Sequence, residues 1–307
     1  TGLWKPVYID IWNDWKIESV QLKTLALDKV SVKSGKAAKA RMLADVHIES
    51  EVETQAEITV LCDGKKVYKE KVQIGKGDNL VPCIFTVRNP ELWWSNGLGK
   101  AALHDFEVAV ETDGSKSSFT EKAGIRTAEI IREDDSRGRS LSVRLNGTDV
   151  FCKGANWIPI DNFPNRKNRA AYDRLISDAT ACNMNMLRVW GGGLYEGEDF
   201  YNVCDSLGMM IWQDMAFACG MFPSDQEYLD NVAEEVKDNV RRLRNHPSLV
   251  LWCGNNENEI SYFEWGWNRT LTPSQQEDYE TGLKKLFYEV IPEAIASEDD
   301  TRYYHPS

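Results

Sequence analysis

The sequence predicts an all-β sandwich followed by an α/β unit built on a parallel sheet. Three observations carry this reading. Apolar residues alternate with period two from about residue 20 to residue 127, the rhythm changes to strand, helix, strand after about residue 128, and 307 residues are too many for one ordinary small domain.

In the first unit Met42, Ala44, Val46 and Ile48 make one strand face, and Ala56, Ile58, Val60 and Cys62 make another before a turn at Asp63-Gly64. Val81, Cys83, Phe85 and Val87 repeat the pattern, as do Phe106, Val108 and Val110 before Asp113-Gly114. Short alternating strands joined by Gly-containing turns predict an antiparallel sandwich over residues 20–127, with immunoglobulin-like topology the simplest arrangement.

The second unit covers residues 128–307. A hairpin turning at Asn146-Gly147 leads into a first strand, Val150-Phe151-Cys152. Tyr172, Leu175, Ile176 and Ala179 mark a helix, Met186 to Trp190 a strand, and Phe200, Val203, Cys204 and Leu207 a helix that Gly208 closes. Met209 to Trp212 is the next strand. Ser224 with Glu227 reads as a capping box opening a helix whose inner face is Leu229, Val232, Val236, Val240 and Leu243. Asn245-His246-Pro247 ends it, and Leu249 to Cys253 is a fourth strand. Thr272-Pro273-Ser274-Gln275 caps one more helix with Leu283, Leu286, Phe287, Val290 and Ile291 inward, and the chain reaches Pro306-Ser307 entering a fifth strand. Near-continuous apolar strands alternating with helices mean a parallel sheet. A doubly wound sheet and an eightfold barrel both fit, and about four and a half βα units would make only half of a barrel.

Composition excludes several functions. With 48 acidic and 36 basic residues the net charge is −12, which repels a nucleic-acid backbone. No apolar run approaches the roughly 18 residues of a membrane helix, so no membrane insertion is expected. The seven Cys form no CxxC pair and read as buried free thiols, and the four His lie at no metal-ligand spacing, so neither a metal site nor a cofactor is expected. Thr1, in place of a Met, reads as the start of a processed or excised piece.

In parallel sheets the residues beyond the strands' C-terminal ends gather on one rim, where function is built. The four ends here run into Lys153-Gly154-Ala155-Asn156-Trp157, Arg188-Val189-Trp190-Gly191-Gly192-Gly193, Gln213-Asp214 and Asn255-Asn256-Glu257-Asn258-Glu259. Amides, an Arg, carboxylates and Trp faces, without phosphate-cradling or metal-ligand spacing, suit a neutral polyol such as a sugar. Glycoside cleavage needs a protonated carboxylic acid beside the scissile oxygen and a second carboxylate across the ring. Glu257 is the candidate acid, with Asn256 bonding a ring hydroxyl. Each residue also has a plainer reading. A carboxylate in a loop is usually solvated, Glu259 faces solvent or an ion pair, Arg188 pairs with a buried acid, Asp214 is a structural acceptor, and Trp190, Trp265 and Trp267 pack.

"GANWIPID", "MLRVWGGGLYE", "MIWQDMAFAC" and "LWCGNNENE" together resemble the β-mannosidases of glycoside hydrolase family 2, of the bacterial, Bacteroides type. "GLWKPVYID" resembles the last strand of that family's amino-terminal sugar-binding jelly roll, assigned to residues 1–19, and "ELWWSNGLGK" with "AGIRTAEI" resembles its immunoglobulin-like domain. The resemblance implies an internal fragment: a sandwich followed by the N-terminal half of a (β/α)8 TIM barrel, about strands 1 to 4. It implies a retaining exo-β-mannosidase mechanism, with β-mannosides or manno-oligosaccharides as substrates and the parent enzyme's missing domains as partners. Glu257 would be the general acid/base and Asn256 would bind near the 2-hydroxyl. Arg188 would steady the nucleophile, Trp190 and Trp265 would line the pocket, and Asn156 with Trp157 would complete its floor. The family nucleophile, a Glu ending the seventh strand, would lie outside this chain and leave it inactive. A bacterial parent implies a periplasmic or secreted location, and the chain itself shows no leader. Other family 2 activities, β-galactosidase or β-glucuronidase, and a non-catalytic carbohydrate-binding or interaction module are the competing readings.

Overall fold

The computed structural model describes residues 7–307. Residues 1–6, most of the stretch compared with a jelly-roll strand, lie outside the described residues. Residues 7–14 join no strand ladder, and the first strand begins at Trp15, upstream of the expected residue 20.

Seven strands follow: β1 (Trp15–Asp28), β2 (Lys39–Ser50), β3 (Thr54–Cys62), β4 (Lys65–Ile74), β5 (Gly77–Arg88), β6 (His104–Glu111) and β7 (Lys116–Ala123). They make two antiparallel sheets, ordered β1-β2-β5 and β4-β3-β6-β7. The period-two pattern places Met42, Ala44, Val46 and Ile48 of β2 opposite Ile58, Val60 and Val108 in a shared core. Burying such residues, at roughly 25 cal/mol per Å² of apolar surface, drives the two sheets together.

Five short strands lead out of the sandwich: β8 (Ala128–Ile131), β9 (Asp134–Asp135), β10 (Gly138–Arg139), β11 (Ser142–Leu145) and β12 (Thr148–Val150). The turn joining β11 to β12 has Asn146 and Gly147 at φ 51° and 78°, the left-handed pair a tight hairpin requires. Val150 therefore belongs to this hairpin, paired with Val143, and not to a parallel strand. Phe151 and Cys152 are exposed.

The parallel sheet starts later, at β13 (Gly154–Trp157). It continues through α1 (Arg169–Ala181), β14 (Met186–Val189), α2 (Glu198–Leu207), β15 (Met210–Asp214), α3 (Gln226–Leu243), β16 (Leu249–Cys253), α4 (Asn258–Phe263), α5 (Pro273–Lys285), α6 (Ile291–Glu298) and β17 (Tyr303–His305). The order is β13-β14-β15-β16-β17, every neighbour parallel and consecutive in sequence. This progression has no reversal point, which a doubly wound sheet would show. The fifth strand lies at Tyr303–His305, just before the expected Pro306-Ser307, and among the described residues the sheet stays open, with β13 and β17 at its edges. Helix α3 is capped by Asp225, whose side chain accepts from the Tyr228 N–H, in place of the expected Ser224 and Glu227. An anionic oxygen there also meets the positive end of the helix dipole. The capping box of Thr272 and Gln275 forms on α5, which runs through a π turn at Leu286–Val290 into α6.

The sandwich and the parallel unit are packed together by the Trp93 to Asn96 segment. Trp93 and Trp94 are fully buried, and Trp93 Nε1 donates to the Asp205 carbonyl at 2.7 Å. Asn96 Nδ2 donates to the carbonyls of Thr180 (3.0 Å) and Met184 (2.9 Å) at the end of α1. Gly208, closing α2 at φ 70°, approaches so closely that a Cβ would lie 2.8 Å from Asn96 N and Trp94 O. Asn245 adds a bond from Nδ2 to the Val20 carbonyl (2.8 Å) and accepts at Oδ1 from the Leu22 N–H (2.9 Å). Beneath this contact His246 Nδ1 lies 2.6 Å from Asp205 Oδ2 and Nε2 lies 3.3 Å from Glu198 Oε2. Burial lowers the imidazole pKa, but the charges and hydrogen bonds of Asp205 and Glu198 prevail and raise it to about 10.

His246 thus holds its proton in the folded chain well above the roughly 6.5 of an unfolded histidine. Its stabilising contribution is complete below that value and is lost as pH rises from there through about 10. Urea unfolding at pH 6, 8 and 10 is expected to show a decline that His246→Gln flattens. Trp93→Ala is expected to cost about 3–5 kcal/mol and to split a single unfolding transition into two.

Candidate active site

Strand alternation decides which side chains share the inner face. Asn156, Arg188 and Trp212 are register partners on β13, β14 and β15. Their neighbours Trp157 and Val189 point the other way, toward the helices, because successive strand residues face opposite sides.

Arg188 is the centre of the inner group. Its Nε and Nη2 donate to Asp214 Oδ1 (3.1 Å) and Oδ2 (2.8 Å), a two-pronged pair, and Nη2 also donates to Asn256 Oδ1 at 3.0 Å. Asp214, at the end of β15, also accepts from the Gly191 N–H (3.0 Å) and from Trp212 Nε1 (2.9 Å). Burial pushes the Asp214 carboxyl above its ordinary range, against the pull of Arg188 and the Gly191 amide. With four donated hydrogen bonds it is the structural acceptor that its position suggested.

The Asn256 amide is oriented by charge at both ends. Its oxygen faces the guanidinium, and Nδ2 donates to Glu257 Oε2 at 2.9 Å and to Cys219 Sγ at 3.4 Å. The Cys219 thiol donates to Glu257 Oε2 at 3.5 Å. Glu257 is half-buried, and its Oε1 has no hydrogen-bond partner among the described residues. An unbroken polar chain therefore runs from Asp214 through Arg188 and Asn256 to one oxygen of Glu257, leaving the other oxygen for a ligand.

The backbone at this point is strained. Glu257 and Cys219 adopt φ 61° and 41°, left-handed values that cost a non-glycine residue of order 1 kcal/mol. Two hydrogen bonds hold them: Asn256 N–H to Phe217 O (2.9 Å) and Cys219 N–H to Asn256 O (3.0 Å). Around them Asn255 Nδ2 donates to Pro306 O (2.8 Å), while its Oδ1 accepts from the Asn258 N–H (3.1 Å) and Ser307 Oγ (2.9 Å). Of the polar run after β16, Asn255 and Asn258 hold the loop, and Asn256 and Glu257 face inward. Glu259 is partly exposed and accepts from the Tyr288 hydroxyl at 2.8 Å.

The Trp190 indole lies over Gly192, where a Cβ would come within 2.0 Å of the ring, so the glycine is a steric requirement. Asn156 and Arg188 line an open hollow of about 320 Å³. Trp157 is not brought into the group, contrary to the floor position expected of it. Its ring packs on Phe200 with centroids 4.8 Å apart, and Nε1 donates to buried Glu196 at 3.1 Å. Trp265 stands in the loop after α4, 52% exposed. Sequence reasoning passed over Cys219 and Trp212, and the one local signal for Cys219 was its place just beyond a strand end.

Residues 14–126 match Glycosyl hydrolases family 2, and residues 194–302 match the Glycosyl hydrolases family 2, TIM barrel domain. The chain is 34% identical to "Beta-mannosidase B" of Emericella nidulans over 317 residues, covering 99% of this chain and 36% of that protein. Against "Beta-mannosidase B" of Aspergillus oryzae the identity is 33% over 310 residues, with the same coverage of 99% and 36%. The crystal structure of the β-D-mannosidase from Dictyoglomus thermophilum superposes with a TM-score of 0.84 at 32% identity, covering 96% of this chain and 35% of that one. The exo-chitosanase CsxA of Amycolatopsis orientalis shares the fold at 18% identity and a TM-score of 0.69, covering 94% of this chain and 32% of that one. The chain thus spans about 36% of the length of the curated relatives it matches.

Asp214→Asn leaves the Arg188 guanidinium without its counter-charge. Urea unfolding is expected to show a loss of about 3 kcal/mol or more, with part regained on adding Arg188→Met.

Proposed function

The chain belongs to glycosyl hydrolase family 2, and from that premise we propose that it carries the acid/base side of a retaining exo-β-mannosidase site acting on terminal, non-reducing β-D-mannose. The observation that supports this most directly is Glu257 itself: one carboxyl oxygen tied to Asn256 and Cys219, the other free at the inner end of a parallel sheet. A general acid must present one oxygen to the leaving group in a fixed direction, and these contacts provide that fixation.

In this reading Glu257 protonates the glycosidic oxygen as the bond to the anomeric carbon breaks. A second carboxylate about 5–5.5 Å away attacks from the opposite face. Glu257 then takes a proton from the water that releases the sugar. The nucleophile would come from the remaining length of the parent, which completes a (β/α)8 barrel begun by the five strands here. Asn256 Oδ1 keeps one lone pair beside its bond to Arg188 and can accept the 2-hydroxyl. Arg188 Nη1 would steady the nucleophile, Trp190 and Trp265 would wall the sugar, and Asn156 would reach it from the first strand. Trp157 would support the wall from behind through Glu196. The manno configuration rests on the relatives' names.

Glu196 and Asp214 are committed within the chain, since Glu196 accepts from Lys167 (2.6 Å), Tyr172 (2.7 Å) and Trp157 (3.1 Å). The purified chain is therefore expected to release no phenol from aryl β-mannosides. Turnover abolished by Glu257→Gln would place the nucleophile within it, with Asp161, Glu196 and Asp214 to test. In the full-length parent, Glu257→Gln is expected to lower kcat about 10²–10⁴-fold on mannobiose, and less on substrates whose leaving group needs no proton. An unchanged kcat on mannobiose would remove Glu257 from the mechanism.

A further inference from the structure

A second cluster of chemistry-bearing side chains lies in the sandwich, where β3 ends and β6 begins. Cys62 is the last residue of β3, Asp63 begins the turn into β4 at φ 50°, and His104 is the first residue of β6. Pairing of β3 with β6 brings His104 beside residues more than forty positions away in sequence. One ligand atom from each, Sγ, a carboxylate oxygen and a ring nitrogen, lies within 4.8 Å of the others. We propose that these three residues form a binding site for a divalent transition metal of the zinc class.

Four features carry this. The ring of His104 is oriented by Nε2, which donates to the Glu91 carbonyl at 2.8 Å and turns Nδ1 toward Asp63 Oδ2 at 2.7 Å. A backbone carbonyl on the distal nitrogen is the support that metal-bound histidines commonly have. The carboxylate is held in turn, Asp63 Oδ1 accepting from the Asp105 N–H at 3.0 Å. The Cys62 thiol has no hydrogen-bond partner among the described residues, although it is only 4% exposed. Finally, Asp63 is exposed and opens on a hollow of about 640 Å³ lined also by Lys65, Arg88 and Glu91, which gives an ion a route in and room for a water as fourth ligand.

Tetrahedral zinc with S, N and O ligands needs them about 3.3–3.6 Å apart. The Nδ1 to Oδ2 gap must widen by under about 1 Å and the sulfur draw in by about 1 Å. Binding displaces the proton of the Cys62 thiol, since a thiolate is the ligand. The cluster is then neutral, so Lys65 and Arg88 face no added charge. The expectation of no metal site came from linear spacing, which strand pairing overrides.

The test uses the purified chain with Cys152→Ser and Cys182→Ser, because those exposed thiols would bind metal on their own. Titration with Co²⁺ is expected to develop a thiolate-to-cobalt charge-transfer band saturating at one ion per chain and bleached by Zn²⁺. Zn²⁺ should raise the melting temperature and release protons in calorimetry across buffers of different ionisation enthalpy. Cys62→Ser and Asp63→Asn, each checked by circular dichroism for a native fold, should lower affinity at least about 100-fold. Absence of the charge-transfer band, or equal binding by Asp63→Asn, would reduce the cluster to a hydrogen-bonded His–Asp pair and overturn the proposal.

Discussion

The inner face of the parallel sheet depends on the buried carboxylate of Asp214. Removed from water, it is tolerable only with a counter-charge and enough donors, and Arg188, Gly191 and Trp212 supply them. Each of those bonds has a second effect. The Arg188 bond holds a guanidinium at the strand end, where Nη2, shared between Asp214 and Asn256, orients the Asn256 amide, and Asn256 in turn fixes one oxygen of Glu257. The Gly191 bond draws the Trp190-Gly-Gly-Gly turn down onto the end of β15, which places the indole over Gly192. A single electrostatic requirement therefore sets the position of a candidate acid and of a candidate sugar platform on different loops.

The same economy appears where the two units meet. The Asp205 carboxylate binds His246 and the Ser248 N–H, while its carbonyl accepts from Trp93 of the sandwich. This joins the end of α2, the approach to β16 and the sandwich at one buried point. The sandwich is consequently a brace for the strand that leads to Glu257, and a local loosening at Trp93 would be felt at the rim through β16.

Glu257 and Cys219 are left-handed without being glycine, and they face each other across two backbone hydrogen bonds. Such strain persists only where surrounding contacts over-determine it, and Asn255 and Asn258 do so here. The carboxylate is thus oriented before any ligand arrives, which lowers the reorganisation that catalysis or binding would otherwise require.

Much of this was legible in the residues alone. Period-two alternation marked β2, β3 and β6, capping chemistry marked α5, and the apolar run Leu249 to Cys253 ending in Asn and Glu marked the rim, because local steric and burial preferences set each of these. Parallel connection then forces strand ends onto one side, so Arg188, Asp214 and Glu257 could be assigned a common rim before any coordinates. Local pattern could not show that Val150 closes a hairpin while β13 begins at Gly154, that Trp157 turns outward while Asn156 turns in, or that Cys219 reaches Glu257 and His104 reaches Asp63. Those outcomes follow from register and non-local pairing, where a shift of one residue exchanges the two faces of a strand, and only the packed chain decides them.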